Sequence, residues 1–445
     1  MSSTPPEGGS PRATTPKADW LEPGEAARRV AEAVRTLDAE QVGLEDAAGR
    51  VLASDVVAPI DVPRWTNSAM DGFAVRARDV ARASREAPVE LPVVDDIPAG
   101  GFPRGPLPPG AAARIMTGAP VPEGADSVIR VEHTDAGSGI GTPQGSVRVY
   151  DGQDAGRNLR QRGEDIRAGT VALRAGTLLT PGAVGVAASL GFARLSIVRP
   201  PLVGLLTSGD ELVEVEDFEE AAAGRRIVSS NTYTLGAQLR QAGCRVRYLG
   251  IARDTRESLR EAISRAGGCD ALITSAGISV GEHDHVKAVL EEYETEIHFW
   301  RVRIRPGSPF AFGTIGRLGG IPWFGLPGNP VSSMVTFELF ARPALLRMAG
   351  HERLFPARLR ARLLEPLRAQ PGLTHFIRVR LEQDDEGEWM ARPTGPQGSG
   401  ILHSLAEADG LMIVAPDAPG AEAGQILPVI PLDPTRRLLR EQPIY

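Results

Sequence analysis

Cysteine is nearly absent from this chain, no long apolar run occurs, and no stretch of Lys and Arg stands apart from acidic neighbours. Only Cys244 and Cys269 are present in 445 residues, without a CxxC pair or a Cys/His ligand spacing. Neither a disulfide framework nor a zinc site is therefore expected, and both thiols read as buried in a reducing compartment. No window approaches the ~18 consecutive apolar residues of a membrane span. The first 17 residues, Met1 to Lys17, are rich in Ser, Thr, Pro and Gly and lack the apolar centre of a signal peptide. A cytoplasmic protein with a disordered tail over 1–17, bound neither to membrane nor to nucleic acid, is the expectation; the net charge of -7 supports the last point.

Catalytic signatures are missing too. There is no GxSxG elbow, HExxH, Walker A loop or GxGxxG at a strand-to-helix junction, which weakens hydrolase, zincin, NTPase and dehydrogenase readings. No internal repeat is visible. His283 and His285 flank Asp284, but a period of two on a short loop supplies no third ligand, so a histidine metal site is not expected.

What is present in quantity is Gly (50) and Pro (37), in a chain long enough for two to four domains. From Pro23 to Leu37, Ala27, Val30, Ala31, Val34 and Leu37 recur at helical spacing and predict an amphipathic helix packed on a neighbouring domain or subunit. Residues 55–175 read as a β-rich module, with short apolar runs at Leu91–Val94, Ser127–Val131 and Val147–Tyr150 between Gly and Pro clusters. From Arg199 to Gly350, strand and helix signals alternate. Strands are expected at Leu202–Leu206, Val246–Ile251, Ala271–Thr274, Phe310–Ile315 and Ile321–Gly325. Helices are expected after Asn231 as cap, over Thr255–Ala266, from about Asp284, and as a long final helix opened by Pro330 with Asn329 as cap. That pattern is a doubly wound α/β domain. Beyond Pro356, short alternating strands (Phe376–Leu381, Glu388–Arg392, Leu411–Val414, Ile426–Ile430) predict a small β-barrel or sandwich.

In an open α/β sheet ligands bind at the carboxyl ends of the strands. Four loops there are rich in Gly and acid: Thr207–Glu211, with Ser208, Gly209 and Asp210; Arg253–Asp254–Thr255; Ser275–Asp284, with Ala276, Gly277 and Ser279; and Leu326–Ser332, with Pro327, Gly328, Asn329 and Pro330. Gly and Ser beside helix starts let backbone N–H groups approach a phosphate, while carboxylates around the same anion require a cation between them. Mg2+, an oxygen-seeking ion that keeps waters, needs only one or two of Asp210, Glu211, Asp254 and Asp284. The bland alternative is that such loops only cap helices and make turns. Arg301, Arg303 and Arg305 alternate along an expected strand and share a face, followed by Ser308 in a Pro-Gly-Ser-Pro turn; a row of guanidiniums suits an oxyanion or pyrophosphate, or else is a solvated strand face.

Three further strings stand out: Asn67–Ala74 with Asp71, Arg114–Pro122 with Thr117, and Arg157–Ile166 with Asp165. Together, SAMDGFAV, RIMTGAPVP, RQRGEDI, TSGDEL, SAGISVGEHD, RPGSPFAFG and LPGNPVS resemble the MoeA family of molybdopterin molybdenumtransferases, which includes the gephyrin E domain, from about Asp19 to the C-terminus. The resemblance implies an elongated, L-shaped subunit of α/β and β multi-domain class. Its parts are an extended dimerisation domain at 18–62 and 166–197, an inserted β-rich domain at 63–165, a molybdopterin-binding α/β domain at 198–350 and a small C-terminal β-barrel domain at 351–445. It implies a homodimer with a shared site, and the Mg2+-dependent reaction of molybdate with adenylated molybdopterin to give molybdenum cofactor and AMP. By carry-over, Glu211, Asp254 and Asp284 belong to the Mg2+-linked side, and Pro327 and Pro330 shape the ligand loop. Asp71, Thr117 and Asp165 come from the partner subunit, and Arg301, Arg305, Arg378 and Ser399 contact molybdate. Further expected partners are molybdopterin adenylyltransferase and the molybdoenzyme acceptors.

The chain departs from the family where Arg301 and Arg305 stand for Lys, Ser308 replaces the Lys of a frequent KPGKP, and Ala276 replaces a common Gly. Alternatives are a tungstate-preferring paralogue, a non-catalytic molybdopterin-binding scaffold, and a nucleotide-binding α/β enzyme like the competence-damage-inducible family; the β modules at either end do not fit the last.

Overall fold

A computed structural model describes residues 20–137, 145–276 and 283–432. The described residues divide into two compact units: 20–40, 49–51 and 197–432 belong to one, 41–48 and 52–196 to the other.

The first unit is organised by a six-stranded sheet in the spatial order Arg245–Ala252, Leu202–Ser208, Ala271–Ser275, Ile321–Leu326, Ala311–Ile315, Thr295–Phe299. The first four strands are parallel and the last two join antiparallel. Alternate side chains feed two cores. Val203, Leu205, Ile273 and Phe324 pack with Leu235 and Leu239 of the Ser230–Gln241 helix, while Leu206, Leu272 and Trp323 pack with Leu259 and Ile263 of the Arg256–Ser264 helix and with Val289 and Leu290 of His283–Glu292. Because successive strand residues face opposite ways, an apolar run buries both faces only when helices cover both, which makes the sheet doubly wound. Strand order reverses at Leu202–Ser208, placing a topological switch between its end and that of Ala271–Ser275.

The helix expected from Pro23 ends at Glu32, and Ala26 and Val30 join the core that holds Phe340 and Leu345. Val34 and Leu37 stay packed beyond its end, Leu37 through an N–H to the Met348 carbonyl at 2.9 Å. The long final helix is interrupted: Pro330–Thr336 and Arg342–Met348 are α-helical, but Phe337–Ala341 between them is a π-helical turn.

Residues 359–431 of the same unit close a five-stranded barrel. Thr374–Gln383 pairs with Trp389–Pro393 and Gly410–Val414, and Leu359–Leu363 and Ile426–Pro431 complete the ring. Closure leaves no bare edge. The second unit carries a five-stranded sheet, Ser127–Arg130, Gly72–Val75, Ala112–Ile115, Val89–Ile97 and Ser146–Val149. Its motif glycine is dictated by close approach: a Cβ on Gly72 would lie 1.9 Å from the Ile129 carbonyl oxygen.

Candidate active site

The carboxyl ends of the parallel strands open onto a cavity of about 560 Å³, whose lining includes Thr207, Glu211, Ser229, Asn231, Ser275 and Ala276, with Pro327, Gly328, Asn329 and Pro330 on a further side. Three of the four loops singled out in the sequence therefore contribute to one wall system. Gly277 and Ser279 lie outside the described residues. Asp284 falls on the His283–Glu292 helix, but its side chain is likewise not described.

Ser208, buried, ends the Leu202–Ser208 strand, and Gly209 follows with the Glu211 carboxylate folded over it; a Cβ there would meet both Glu211 oxygens at 2.8 Å. Asp210 and Asp254 hold each other by reciprocal bonds: the Asp210 N–H donates to Asp254 Oδ2 and the Asp254 N–H to Asp210 Oδ1, each at 3.3 Å. Two carboxylates from successive strand ends are thus set side by side, with Arg226 donating to the Asp210 carbonyl. Among the described residues no three His, Cys, Asp or Glu side chains converge as a ready-made cation cage. The donors that are close are carboxylate oxygens, which suits Mg2+, since that ion completes its shell with water and substrate phosphate.

Asn231 is not the helix cap expected from sequence. Ser229 occupies that position, and Asn231 lies inside the first turn, buried, its Nδ2 donating to Ser275 Oγ and to the Gly328 carbonyl, both at 2.8 Å. Because a carbonyl only accepts, the amide nitrogen must face Gly328. Its Oδ1 is left buried without a partner among the described residues. Asn231 and Ser229 are cavity residues that the sequence pattern does not mark as such; the signal for Asn231, a polar residue on the apolar side of a helix, looks locally like a cap.

Asn329 does stand at the N-cap of Pro330–Thr336, but its side chain makes no cap bond; Nδ2 donates instead to Ser399 Oγ at 3.1 Å. The Val331 N–H donates to the Ser399 carbonyl at 3.1 Å, so the barrel's 396–402 loop is stitched to the ligand loop and adds Gly400 and Leu402 to the cavity. Beneath that loop Arg378 is fully buried. Its Nε donates to Ser404 Oγ at 2.6 Å and one Nη to the carbonyls of Pro396 and Gly398 at 3.1 Å, while Nη1 has no partner among the described residues. Burial pulls its guanidinium down to about 10, so it stays charged at neutral pH, an enclosed cation with a donor to spare.

The continuous strand expected under the row of arginines is not formed. Only Ile304–Arg305 is strand, with Val302 in a lone bridge to Leu21. Val302 and Ile304 are buried between the outward arginines, which explains the alternation, but Arg301 lies over the Trp20 ring at 5.2 Å and Arg305 donates to Gln370 Oε1 at 2.9 Å. Ser308 Oγ donates to the Ile304 carbonyl at 2.5 Å, closing its own turn. Of this segment, Pro309 lines the cavity.

In the second unit Asp71 and Thr117 are brought together: one carboxylate oxygen accepts from the Thr117 N–H at 2.7 Å and from its Oγ at 2.6 Å. The Thr117 hydroxyl, then its N–H, hold the Asp71 carboxyl below its ordinary range. Asp165 is exposed in a turn, its N–H donating to the Val62 carbonyl at 3.1 Å.

A doubly wound sheet with a ligand cavity at its switch point, joined to a closed β-barrel, matches known proteins over nearly the whole chain. Family models match in chain order: the MoeA N-terminal region (domain I and II) at residues 21–191, the "Probable molybdopterin binding domain" at 204–347 and the MoeA C-terminal region (domain IV) at 360–432. A molybdopterin molybdenumtransferase of Bacillus subtilis is 37% identical, the match covering 91% of this chain and 93% of that protein. One from Haemophilus influenzae is 34% identical over 88% and 94%. The crystal structure of the molybdopterin biosynthesis moeA protein from Pyrococcus horikoshii superposes with a TM-score of 0.79 at 28% identity, covering 93% of this chain and 100% of that one. The chain belongs to the MoeA family of molybdopterin molybdenumtransferases.

Proposed function

We propose that the chain inserts molybdenum into molybdopterin, with adenylated molybdopterin and molybdate as substrates and molybdenum cofactor and AMP as products, in the presence of Mg2+. The relatives' names support the coarser part, molybdenum transfer to molybdopterin. What supports the finer part is the acidic pair Asp210 and Asp254 at neighbouring strand ends, with Glu211 in the cavity lining, together with the buried guanidinium of Arg378 under the Ser399 loop, which meets no carboxylate among the described residues. Acids alone would repel a phosphorylated ligand. With Asp254, Glu211 and Asp284 as its holders, Mg2+ would neutralise the phosphate as AMP departs.

The chain's own groups divide the remaining work. Ser208, Gly209 and Ser275, with Gly277 and Ser279 as the family resemblance implies, would bind the phosphate and pterin through hydroxyls and backbone N–H groups, and Pro327, Gly328, Asn329 and Pro330 would form the wall against which the ligand is oriented. Arg378 and Ser399, with Arg301, Arg305 and Ser308 on the approach, bind the molybdate dianion and offset its charge near the dithiolene. Asp71, Thr117 and Asp165 complete the site from a second copy in a homodimer. No side chain forms a covalent bond to substrate; the pterin thiolates attack molybdenum.

Purified protein incubated with adenylated molybdopterin, molybdate and Mg2+ should release AMP and form cofactor able to reconstitute an apo-molybdoenzyme. If a known family member releases AMP under the same conditions and this protein does not, the proposal fails. Tungstate competing better than molybdate would favour the specialised paralogue.

A further inference from the structure

At one end of the five-stranded sheet of the second unit three strands finish together, because Gly72 and Ile97 are both in register with Ile115. Asp71, Thr117 and the turn after Ile97 therefore leave the sheet side by side. The Met116 N–H donates to the Ile97 carbonyl at 3.1 Å, and the turn is closed by the Gly101 N–H donating to the Pro98 carbonyl at 2.8 Å. Phe102 follows, 63% exposed, and packs against Trp65, itself 38% exposed, with ring centroids 5.1 Å apart and ring planes at 67°. Met70, the neighbour of Asp71, is exposed as well.

Single apolar side chains on a surface need no explanation, whereas two aromatic rings and a methionine gathered in the open around a polar pair form a patch that invites a partner. In an edge-to-face pair the edge of one ring covers one face of the other, so flat ring faces stay open to solvent. The backbone on both sides of Trp65 is tied down: the Gly163 N–H donates to the Pro63 carbonyl and the Val121 N–H to the Thr66 carbonyl, each at 3.0 Å, and the Arg162 N–H donates to Thr66 Oγ1 at 3.3 Å. A ring carried on a fixed backbone loses little freedom when a ligand lands on it. Arg160, paired with Asn67 on the adjoining strand, is exposed and meets no carboxylate among the described residues. Open ring faces with an uncommitted guanidinium nearby suit a planar heterocycle that carries a phosphate.

We propose that Trp65 and Phe102 form a stacking platform for a planar, phosphate-bearing heterocycle of the substrate, at the end of the sheet that carries Asp71 and Thr117. The inference rests on the reading above, in which adenylated molybdopterin is the substrate and Asp71 and Thr117 serve the site of a second copy. That ligand holds two such heterocycles, the adenine and the pterin, and both present the π-face that an aromatic ring recognises. Trp65 and Phe102 bind and orient; neither takes part in bond making.

The test uses the full-length protein with Trp65→Leu and Phe102→Leu, which keep apolar bulk but remove the ring, and with Trp65→Phe and Phe102→Tyr, which restore one. Calorimetric Kd values are measured for adenylated molybdopterin, for AMP and for molybdopterin, alongside the Tm and the solution mass of each variant. Both leucine variants are expected to raise the Kd for adenylated molybdopterin about tenfold to hundredfold, with recovery in the aromatic variants and with Tm and mass unchanged. The same rise for AMP alone assigns the platform to adenine, and for molybdopterin alone to the pterin. Leucine variants that bind all three ligands as wild type does would overturn the platform. A rise that the aromatic variants fail to reverse, or one that comes with a changed solution mass, would also overturn it, by making the rings a packing or subunit contact. A wild-type protein that binds none of the three ligands sinks the substrate reading and this inference with it, whereas a binding wild type with unaffected variants sinks this inference alone.

Discussion

The Asn231 amide nitrogen and the Gly328 carbonyl oxygen are 2.8 Å apart, although the residues are separated by 97 positions. Together with the bond to Ser275 Oγ, this fixes one helix, one strand end and the ligand loop around a single side chain. Asn231→Leu should remove the donor and leave a buried carbonyl unpaired, at a cost of about 1 to 3 kcal/mol. Asn231→Asp should cost at least as much, since a carboxylate oxygen then faces the carbonyl. Urea unfolding measures the loss, and a rise in substrate KM larger than the fall in kcat would show that the loop has slackened.

Arg378 predicts a different signature. Arg378→Met should raise the molybdate KM about tenfold to hundredfold, the value of a charge-assisted hydrogen bond in a dry site, with little change in the KM for adenylated molybdopterin. Molybdate dependence of AMP release is the measurement; equal effects on both substrates would assign Arg378 to barrel structure alone.

Ala276 has φ +80, a left-handed conformation costly for a residue with a Cβ, and it lines the cavity, where a Cβ added to Gly328 would lie 3.2 Å from its own. Ala276→Gly should relieve this strain and raise stability by about 0.5 to 1 kcal/mol, the relief exceeding the extra flexibility of glycine in the unfolded chain. A Tm that falls instead would show that the methyl packs usefully.

The pair Arg199 and Asp270 gives a pH prediction. Burial pushes the Asp270 carboxyl up, but the two-pronged bond from Arg199, at 2.6 and 2.7 Å, and the Leu202 N–H hold it below its ordinary value. A lowered folded-state pKa contributes stability that is present above the unfolded value of about 4 and is lost as pH falls through the folded value. Arg199→Met should therefore destabilise by about 2 kcal/mol at pH 7, with the gap to wild type closing as the pH drops below about 4. Denaturant unfolding at both pH values checks the sign.

Much of this was legible in the linear order of residues. Apolar periodicity located the Pro23 helix and the strands of the sheet because burial on one face or two leaves a repeat in sequence. The loops Thr207–Glu211, Ser275–Ala276 and Leu326–Pro330 could be grouped in advance, since parallel strands deliver their carboxyl ends to one side. Asn231 was not legible as a site residue. A cap and a buried bridge look alike locally, and its partners Ser275 and Gly328 are brought to it only by the sheet. The arginine alternation was visible, but not that Arg301 rests on Trp20 and Arg305 on Gln370.

The sequence by itself determined the α/β and β architecture, the absence of disulfide and histidine-metal chemistry as expectations, and the motifs that resemble one family. Tertiary structure decided which polar groups meet. It set Asp210 against Asp254, Asn329 against Ser399 and Tyr248 against Glu214, and it buried Arg378 with no counter-charge among the described residues. The reason is physical: hydrophobic pattern is periodic and local, whereas a hydrogen bond a few ångströms long depends on two distant segments being held in register by everything packed between them.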